Sequence, residues 1–551
     1  MKPQVVMERD PRAREAMERW NELKTERSKF EQDWGDIARL IRPQRGGFGL
    51  DSPTMRKLEN PLSSSPVIAH GNFAAGIYAG ITNPARRWVG FATPDDDLNK
   101  WQPMAEWNDL VTRIVMNSFS PAVSSFYPAS YQAYADLAAF GNAASYDRID
   151  PERRGFIDVT VSLAEIVVDI DFHGRVVEVV RKFSLSPRAA VREFGQDNLP
   201  AKVVEMAVQG RSDRHVYYQH VLRNDDFLPQ RLGPKGKRWL SHYVCEVEET
   251  LIRVKGYDEM PFYFPRWDVD TGFTYGTGPG LVALASARVN HRMEDATIRA
   301  AQYAADPTKL APDRNAIPLN GTFRPGAVIY GGTDVRGNSL IKNMDGASSI
   351  GLTIEEKRAK VEEIKDAFYY AVMSLTGRTG LSDDENRIIE EARLRNWAPH
   401  ADRIMEEYAA RKAERRYRML RRAGQIPPGP EGMPKGTEVA PRYQSAATMA
   451  LRASEGQAIR GFIRDIEPLA ARSPRYSDRI NDDELIEALH DASPSLPASI
   501  LNPREVADQV AEERAQQIQA QQMMEAAQAG GGVVKDLAQA AGQVQPQGGG
   551  Q

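Results

Sequence analysis

The spacing of apolar positions changes along this chain, and each change marks a change of structure. Over residues 11–42, Met17, Trp20, Leu23, Phe30, Trp34, Ile37 and Ile41 recur at threes, fours and sevens. That period predicts a long amphipathic helix ended by Pro43. Arg45-Gly46-Gly47-Phe48-Gly49 reads as a loop, and Ser63-Ser64-Ser65-Pro66 starts a helix within residues 60–79. The Asn83-Pro84 and Thr93-Pro94 turns bracket residues 86–91, and further helices are predicted over 101–117 and 128–141. From 155 to 184 the period falls to two and Val and Ile dominate, with His173-Gly174 as a tight hairpin turn. Ser186-Pro187 caps a short helix that stops at Gly195, and strands resume over 215–223 and 239–254. A helical start leading into antiparallel strands predicts an α+β fold.

Residues 257–280 break both periods. Phe262, Tyr263, Phe264, Trp267, Phe273 and Tyr275 crowd among prolines and glycines, which predicts an irregular segment packed onto a core. Gly276-x-Gly278-Pro279-Gly280 then reads as a tight turn that launches a helix over 281–306. Residues 307–350 are rich in Pro, Gly and Asn, with strand-like pieces. A second helix over 353–376 carries Ile354, Val361, Ile364, Phe368, Val372 and Leu375 on one stripe, and Gly377-Arg378-Thr379-Gly380 breaks it. A very long helix is predicted over 383–423, stopped by Gly424 and Pro427-Pro428. After a Pro/Gly linker over 427–441 come helices over 443–470, 481–490 and the Gln-rich 503–529, and residues 530–551 read as a disordered tail.

Composition narrows the function classes. The chain has 551 residues, 26% charged and 41% hydrophobic, which suits a soluble protein with several domains. A net charge of -4 argues against a general nucleic-acid-coating protein. The single cysteine, Cys245, excludes an intrachain disulfide and a thiol-rich metal site, and fits a reducing setting. The first twenty residues lack the apolar stretch of a signal peptide. Nothing approaches the roughly 18 consecutive apolar residues of a membrane span.

Candidate chemistry is sparse. Gly276-x-Gly278-x-Gly280 matches neither GxGxxG nor GxxxxGK[ST], so it reads as a helix entry turn and not a phosphate cradle. The eight histidines are scattered without HExxH, and His215 and His220 point to opposite faces of one predicted strand. Asp95-Asp96-Asp97, Asp383-Asp384-Glu385 and Asp482-Asp483-Glu484 each sit where a helix starts, and acids there favour the helix dipole. Arg411, Lys412, Arg415, Arg416, Arg418, Arg421 and Arg422 make a positive helix face. It reads as a solvated or inter-subunit salt-bridge face, with direct phosphate contact as the alternative.

Several ordered motifs carry a resemblance. Pro261-Phe262, Arg266-Trp267, Tyr275-Gly276, Gly278-Pro279, Asn290 and Pro307 stand in the order and spacing of the head-to-tail connecting (portal) proteins of short-tailed, T7-like bacteriophages (podoviruses). The likeness extends over roughly residues 10–520. It includes Phe30-Glu31-x-x-Trp34 through Pro43, Gly80-Ile81-Thr82-Asn83-Pro84 with Trp88, Asp171-Phe172-His173-Gly174-Arg175-Val176-Val177 through Phe194-Gly195, Arg324-Pro325-Gly326-Ala327, and Asp478-Arg479-Ile480-Asn481-Asp482-Asp483. One departure is Gly380-Leu381-Ser382-Asp383-Asp384-Glu385-Asn386, where the family has a Thr-Ala-Thr-Glu-like stretch.

The resemblance implies a portal fold: an α/β wing, a two-helix stem, a small clip, a long crossing helix and a helical crown and barrel. On this chain the wing would be residues 1–256, the wing-to-stem junction 257–280, stem helices 281–306 and 351–376, and the clip 307–350. The tunnel loop would be 377–387, the crossing helix 388–426, the crown and barrel 427–529, and the tail 530–551. It implies a non-enzymatic ring of about twelve copies at one capsid vertex of the virion, assembled in the host cytoplasm. Double-stranded DNA would be packaged and ejected through it. Terminase, major capsid, scaffolding, tail adaptor, nozzle and internal core proteins would dock on it, with no membrane and no cofactor. Lys357, Lys360, Lys365, Arg378, Asp383 and Asp384 become candidates for the channel and tunnel loop. Trp267, Tyr275, Gly276, Gly278 and Pro279 become candidates for the structural junction, and no catalytic, metal or cofactor residue is expected. The alternatives are a ring-forming adaptor or scaffold that does not conduct DNA, and a metal-dependent nucleic-acid enzyme.

Overall fold

A computed structural model describes residues 10–50, 60–85, 87–150, 152, 155–305, 309–310, 335–336, 338, 342–343, 350–370, 399–434, 436–443, 446–470, 473, 480–492, 500–502 and 506–522. Its helices are α1 (Pro11–Leu40), α2 (Ser65–Ile81), α3 (Asp96–Lys100), α4 (Gln102–Ser118), α5 (Phe126–Phe140), α6 (Pro187–Phe194), α7 (Ala201–Val208), α8 (Pro279–Ala305), α9 (Ile350–Ala367), α10 (Arg411–Arg422), α11 (Ala446–Ala470) and α12 (Asp482–Asp491). The strands are β1 (Val89–Ala92), β2 (Ala144–Asp150), β3 (Gly155–Val161), β4 (Ile166–Ile170), β5 (Val176–Leu185), β6 (His215–Arg223), β7 (Trp239–Cys245), β8 (Thr250–Tyr257), β9 (Phe262–Tyr263), β10 (Lys309–Leu310), β11 (Lys342–Asn343) and β12 (Ala440–Tyr443). The fold is α+β. Among the described residues no helix is long and apolar enough to cross a membrane.

Two compact units share the chain. The first comprises Met1–Gly90, Thr112–Pro427 and Pro441–Ala450. Its centre is the antiparallel sheet β4-β5-β6-β7-β8, in which every strand pairs with its sequence neighbour. Alternation along β6 divides the core. Val216 and Tyr218 face α1 with its Ala13, Ala16, Trp20 and Leu23, whereas Tyr217 faces Phe194 of α6 and Val203 of α7. Helices cover both faces, so β6 is buried almost end to end. Arg27 of α1, 1% exposed, pins the start of β4 by donating to the carbonyls of Leu163, Ala164 and Ile166. A smaller sheet, β3-β2-β9, lies beside α5.

The hairpin predicted at His173-Gly174 forms between β4 and β5, with Gly174 at φ +75°. Ser186 stands before α6 as expected but makes no side-chain cap bond, so Pro187 in the first turn fixes that start. The helix predicted over 353–376 is α9, and it ends at Ala367. There Phe368 turns into the core against His70 and Phe73 of α2, and Tyr369 takes φ +50°. That left-handed step is one a helix cannot continue through. Val372 and Leu375 lie outside the described residues, as do the tunnel-loop span 377–387 and the tail 530–551. β10 pairs antiparallel with β11, Lys309 opposite Asn343 and Leu310 opposite Lys342.

The described part of the long helix, 399–422, is not uniform. Met405–Ala410 is a π-helical turn. Ile404, Tyr408, Lys412, Arg416 and Leu420 are buried, and so are Ala401, Met405, Ala409, Ala413 and Tyr417. Both sets repeat every four residues. An α-helix advances about 100° per residue, so a four-residue stripe drifts about 40° at each repeat. The wider π turn takes back part of that drift and keeps both stripes on the core.

In the second unit, comprising Phe91–Val111, Pro428–Ala440 and Leu451–Gln551, Asp95 caps α3 by accepting from the amides of Asp97 and Leu98. Asn481 caps α12 by accepting from Glu484. Both acidic clusters here therefore serve helix starts. Residues 506–522 are helical and exposed throughout.

Candidate functional site

The irregular segment after β9 is held by the end of α5. Gly141, at φ +71°, closes that helix, and its carbonyl accepts from the Trp267 amide at 2.8 Å. The side-chain amide of Asn142 then pairs with the Gly276 backbone as a neighbouring strand would. Its Nδ2 donates to the Gly276 carbonyl at 2.8 Å, and its Oδ1 accepts from the Gly276 amide at 2.8 Å. Asp268 and Thr277 exchange backbone bonds at 3.2 and 2.7 Å and close the loop between them. The glycines permit this approach. A Cβ on Gly278 would lie 2.6 Å from the Gly141 Cα, one on Gly280 2.0 Å from the Ala139 carbonyl oxygen, and one on Gly276 2.6 Å from the Asp268 carbonyl oxygen. None of the three has a positive φ. The glycines lead into α8 at Pro279 as the sequence predicts, and they also serve backbone-on-backbone packing, with protein atoms where a phosphate would need room.

The aromatic side chains fix the segment from the other side. Trp267 stacks on His400 at 4.6 Å and meets Phe73 at 5.4 Å. Tyr275 sits among Phe30, Trp34 and Phe264, and burial pushes its hydroxyl pKa up to about 12, so it stays protonated. Phe262, Tyr263 and Phe264 are buried as expected. Phe273 is 58% exposed, against the expectation that it packs inward, because it lies at the far end of the loop closed by Asp268 and Thr277. Pro279 begins α8.

The middle of the basic run of α10 is neither solvated nor open to phosphates. Lys412, Arg415 and Arg416 are buried. Lys412 Nζ lies 2.6 Å from Asp158 Oδ1, and Arg416 Nη2 lies 2.9 Å from Asp158 Oδ2. Arg415 pairs with Asp147, and the Arg416 guanidinium covers the Phe156 ring at 3.6 Å. Ser124 Oγ also donates to Asp158. Burial pushes the Asp158 pKa up, but Lys412 and Arg416 outweigh it and leave the carboxyl at about 2. Only the outer cations use surface partners: Arg418 pairs with Glu414, and Arg422 with Glu259. The network ties α10 to β2 and β3. Sequence reasoning missed Asp147 and Asp158, whose signal is an acid at an inward position of an alternating strand.

The candidate lysines all lie on α9. Lys357 reaches Glu294 of α8 at 2.6 Å. Lys360 pairs with Glu363 and Lys365 with Glu362, each at 2.7 Å. Ser286 of α8 donates to Glu363 at 2.6 Å. Ala283, Leu284 and Ala287 of α8 and Ile364 of α9 are buried, and Arg288 ties α8 to Asp33 and Asp36 of α1. Arg378, Asp383 and Asp384 lie outside the described residues. His215 meets Met206 and His220 meets Glu178. Among the described residues no group of three or more His, Cys, Asp or Glu is placed to hold a metal.

The family model described as "Bacteriophage head to tail connecting protein" matches residues 13–501. The portal protein of Salmonella phage epsilon15 is 27% identical over 541 residues, covering 94% of each chain. The probable portal protein of Bordetella phage BPP-1 is 25% identical over 520 residues, covering 92% of each. A chain of the virion of a native gene transfer agent particle aligns over 77% of this chain and 89% of its own, with TM-score 0.30 and 12% identity. That last likeness is too low to carry an argument about fold. The family match spans most of the described structure, from α1 to the residues after α12, and the chain belongs to the bacteriophage head-to-tail connecting protein family.

Proposed function

We propose that this chain forms a closed ring of about twelve copies at one capsid vertex of a virion. Double-stranded DNA would be packaged and ejected through its centre, with no reaction catalysed by the ring itself. Terminase, capsid, scaffolding, tail-adaptor, nozzle and internal core proteins are the proposed partners. The observation that carries this reading is the match to two proteins named as portals along 94% and 92% of the chain. In it, residues 1–256 are the wing, 257–280 the junction, α8 and α9 the stem, 307–350 the clip, 377–387 the tunnel loop, 388–426 the crossing helix, and 427–529 the crown and barrel.

The electrostatics suit a conduit. Each of Lys357, Lys360 and Lys365 already has a carboxylate on its own chain. A channel lined by such pairs offers passing phosphates weak, exchangeable contacts. Unpaired cations would add salt-dependent affinity at every step and slow the DNA. Native mass spectrometry tests the assembly: closed rings are expected, and monomers at every concentration would refute it. Deleting residues 378–381 should leave rings intact and impair packaging, whereas unchanged packaging would remove the tunnel-loop assignment.

A further inference from the structure

The sheet face opposite α1 is sealed by α6 and α7 over Tyr217, Cys245 and Ile252. Further along, that face turns polar and aromatic. Arg181 opposes Gln219, Gln219 opposes Tyr243, and Tyr243 opposes Arg253, forming one row across four strands. Ser241 then opposes Lys255, and Trp239 opposes Tyr257. Alternate residues of a strand share a face, so Arg253, Lys255 and Tyr257 stand together beside Tyr243. All four are half-buried.

The charges here do not balance. Arg148 of β2 pairs with Glu193 of α6 at 3.0 Å, and Arg181 pairs with Glu165 at 2.9 Å. Arg253 uses its guanidinium on neutral oxygens, the carbonyls of Glu193 and Phe194 at 2.9 and 3.1 Å. Lys255 has no acidic partner among the described residues, and its ammonium lies 5.7 Å from the centre of the Tyr243 ring. Four cations therefore meet two carboxylates. Burial, and then Arg253, depress the Lys255 pKa, with Glu193 opposing and Arg148 adding to the depression. Half-buried like charges repel unless an anion lies among them, and a perturbed cation beside specific charge partners is a candidate binding site.

We propose that Arg148, Arg253 and Lys255 form a binding site for a phosphate group, with Tyr243 and Tyr257 as its aromatic wall. The local excess of two positive charges matches a phosphate monoester, which carries roughly -1.5 to -2 near neutral pH, better than a single carboxylate. Two guanidinium forks and an ammonium also offer donors from several directions to a tetrahedral oxyanion. The site is built within one chain, so it stands or falls separately from the ring.

The test follows the acylation of each lysine in the full-length protein by peptide mass spectrometry near neutral pH, with and without inorganic phosphate. Lys255 should react ahead of the exposed Lys202, because a lowered pKa leaves more neutral amine. Phosphate should slow Lys255 roughly tenfold by favouring its charged form. Lys202 should be unaffected, and Arg253→Gln should lose most of the protection. A thymidine dinucleotide in place of phosphate separates the sources: protection by both admits a diester, and protection by phosphate alone restricts the site to a monoester. The proposal is overturned by Lys255 reacting more slowly than Lys202 without phosphate, or by equal phosphate effects on the two. Full protection in R253Q, or protection by a polyglutamate peptide but not by phosphate, also overturns it.

Discussion

Replacing Asp158 with Asn probes the attachment of α10 to the rest of its unit. The substitution keeps the shape of the side chain and the Ser124 contact but removes the charge. Lys412 and Arg416, 1% and 0% exposed, then remain buried without their carboxylate. Removing one partner of a buried ion pair costs about 3–5 kcal/mol. A whole domain is typically stable by only about 5–15 kcal/mol, so the loss should be plain in a urea titration. Lys412→Met supplies the control. In the double variant only Arg416 is stranded, so the double should cost less than the sum of the singles by about 1–3 kcal/mol. Acid gives a second reading of the same pair. The Asp158 pKa is about 2 in the folded chain, below the roughly 3.9 of an unfolded one. Its contribution is therefore fully present above about pH 4 and is lost as the pH falls toward 2, on the order of 2 kcal/mol. Asp158→Asn should lack that part of the acid dependence. A D158N protein within about 0.5 kcal/mol of the parent, or strictly additive costs, would refute the clamp.

Other substitutions test the junction. Gly280→Ala, whose Cβ would lie 2.0 Å from the Ala139 carbonyl oxygen, should destabilise by at least about 1–3 kcal/mol in thermal unfolding. Gly35→Ala, inside α1 with nothing within 4 Å, should stabilise by roughly 0.5–1 kcal/mol, and equal effects at the two sites would contradict the close-approach account. Trp267→Ala should cost about 3–5 kcal/mol through its lost contacts with Phe73 and His400, whereas Phe273→Ala, at a 58% exposed side chain, should stay within about 0.5 kcal/mol.

The regular parts of this fold were legible because their signals are local. The 3.6-residue stripe of α1, the alternation through β3, β4 and β5, and the Pro and Gly punctuation around α6 lie within single elements. What the sequence hid depends on partners far away. The glycines of the junction were located correctly, but the reason for Gly278 and Gly280 lies in residues 137–141, more than a hundred positions earlier. The basic run of α10 looked like a surface because its counter-charge sits on β3, 254 residues away from Lys412. The break after α9 was hidden for a related reason: Phe368 fits the helical stripe, but it and Tyr369 pack against Phe73 of α2 in a turn. The candidate lysines came from the resemblance, and only the structure paired each with a carboxylate.

Class-averaged electron micrographs of the purified protein would show the proposed ring and its opening. Closed rings of uniform subunit number, with a central opening that admits a B-DNA duplex, are expected. Single chains at every concentration, or rings too narrow for a duplex in every class, would contradict it.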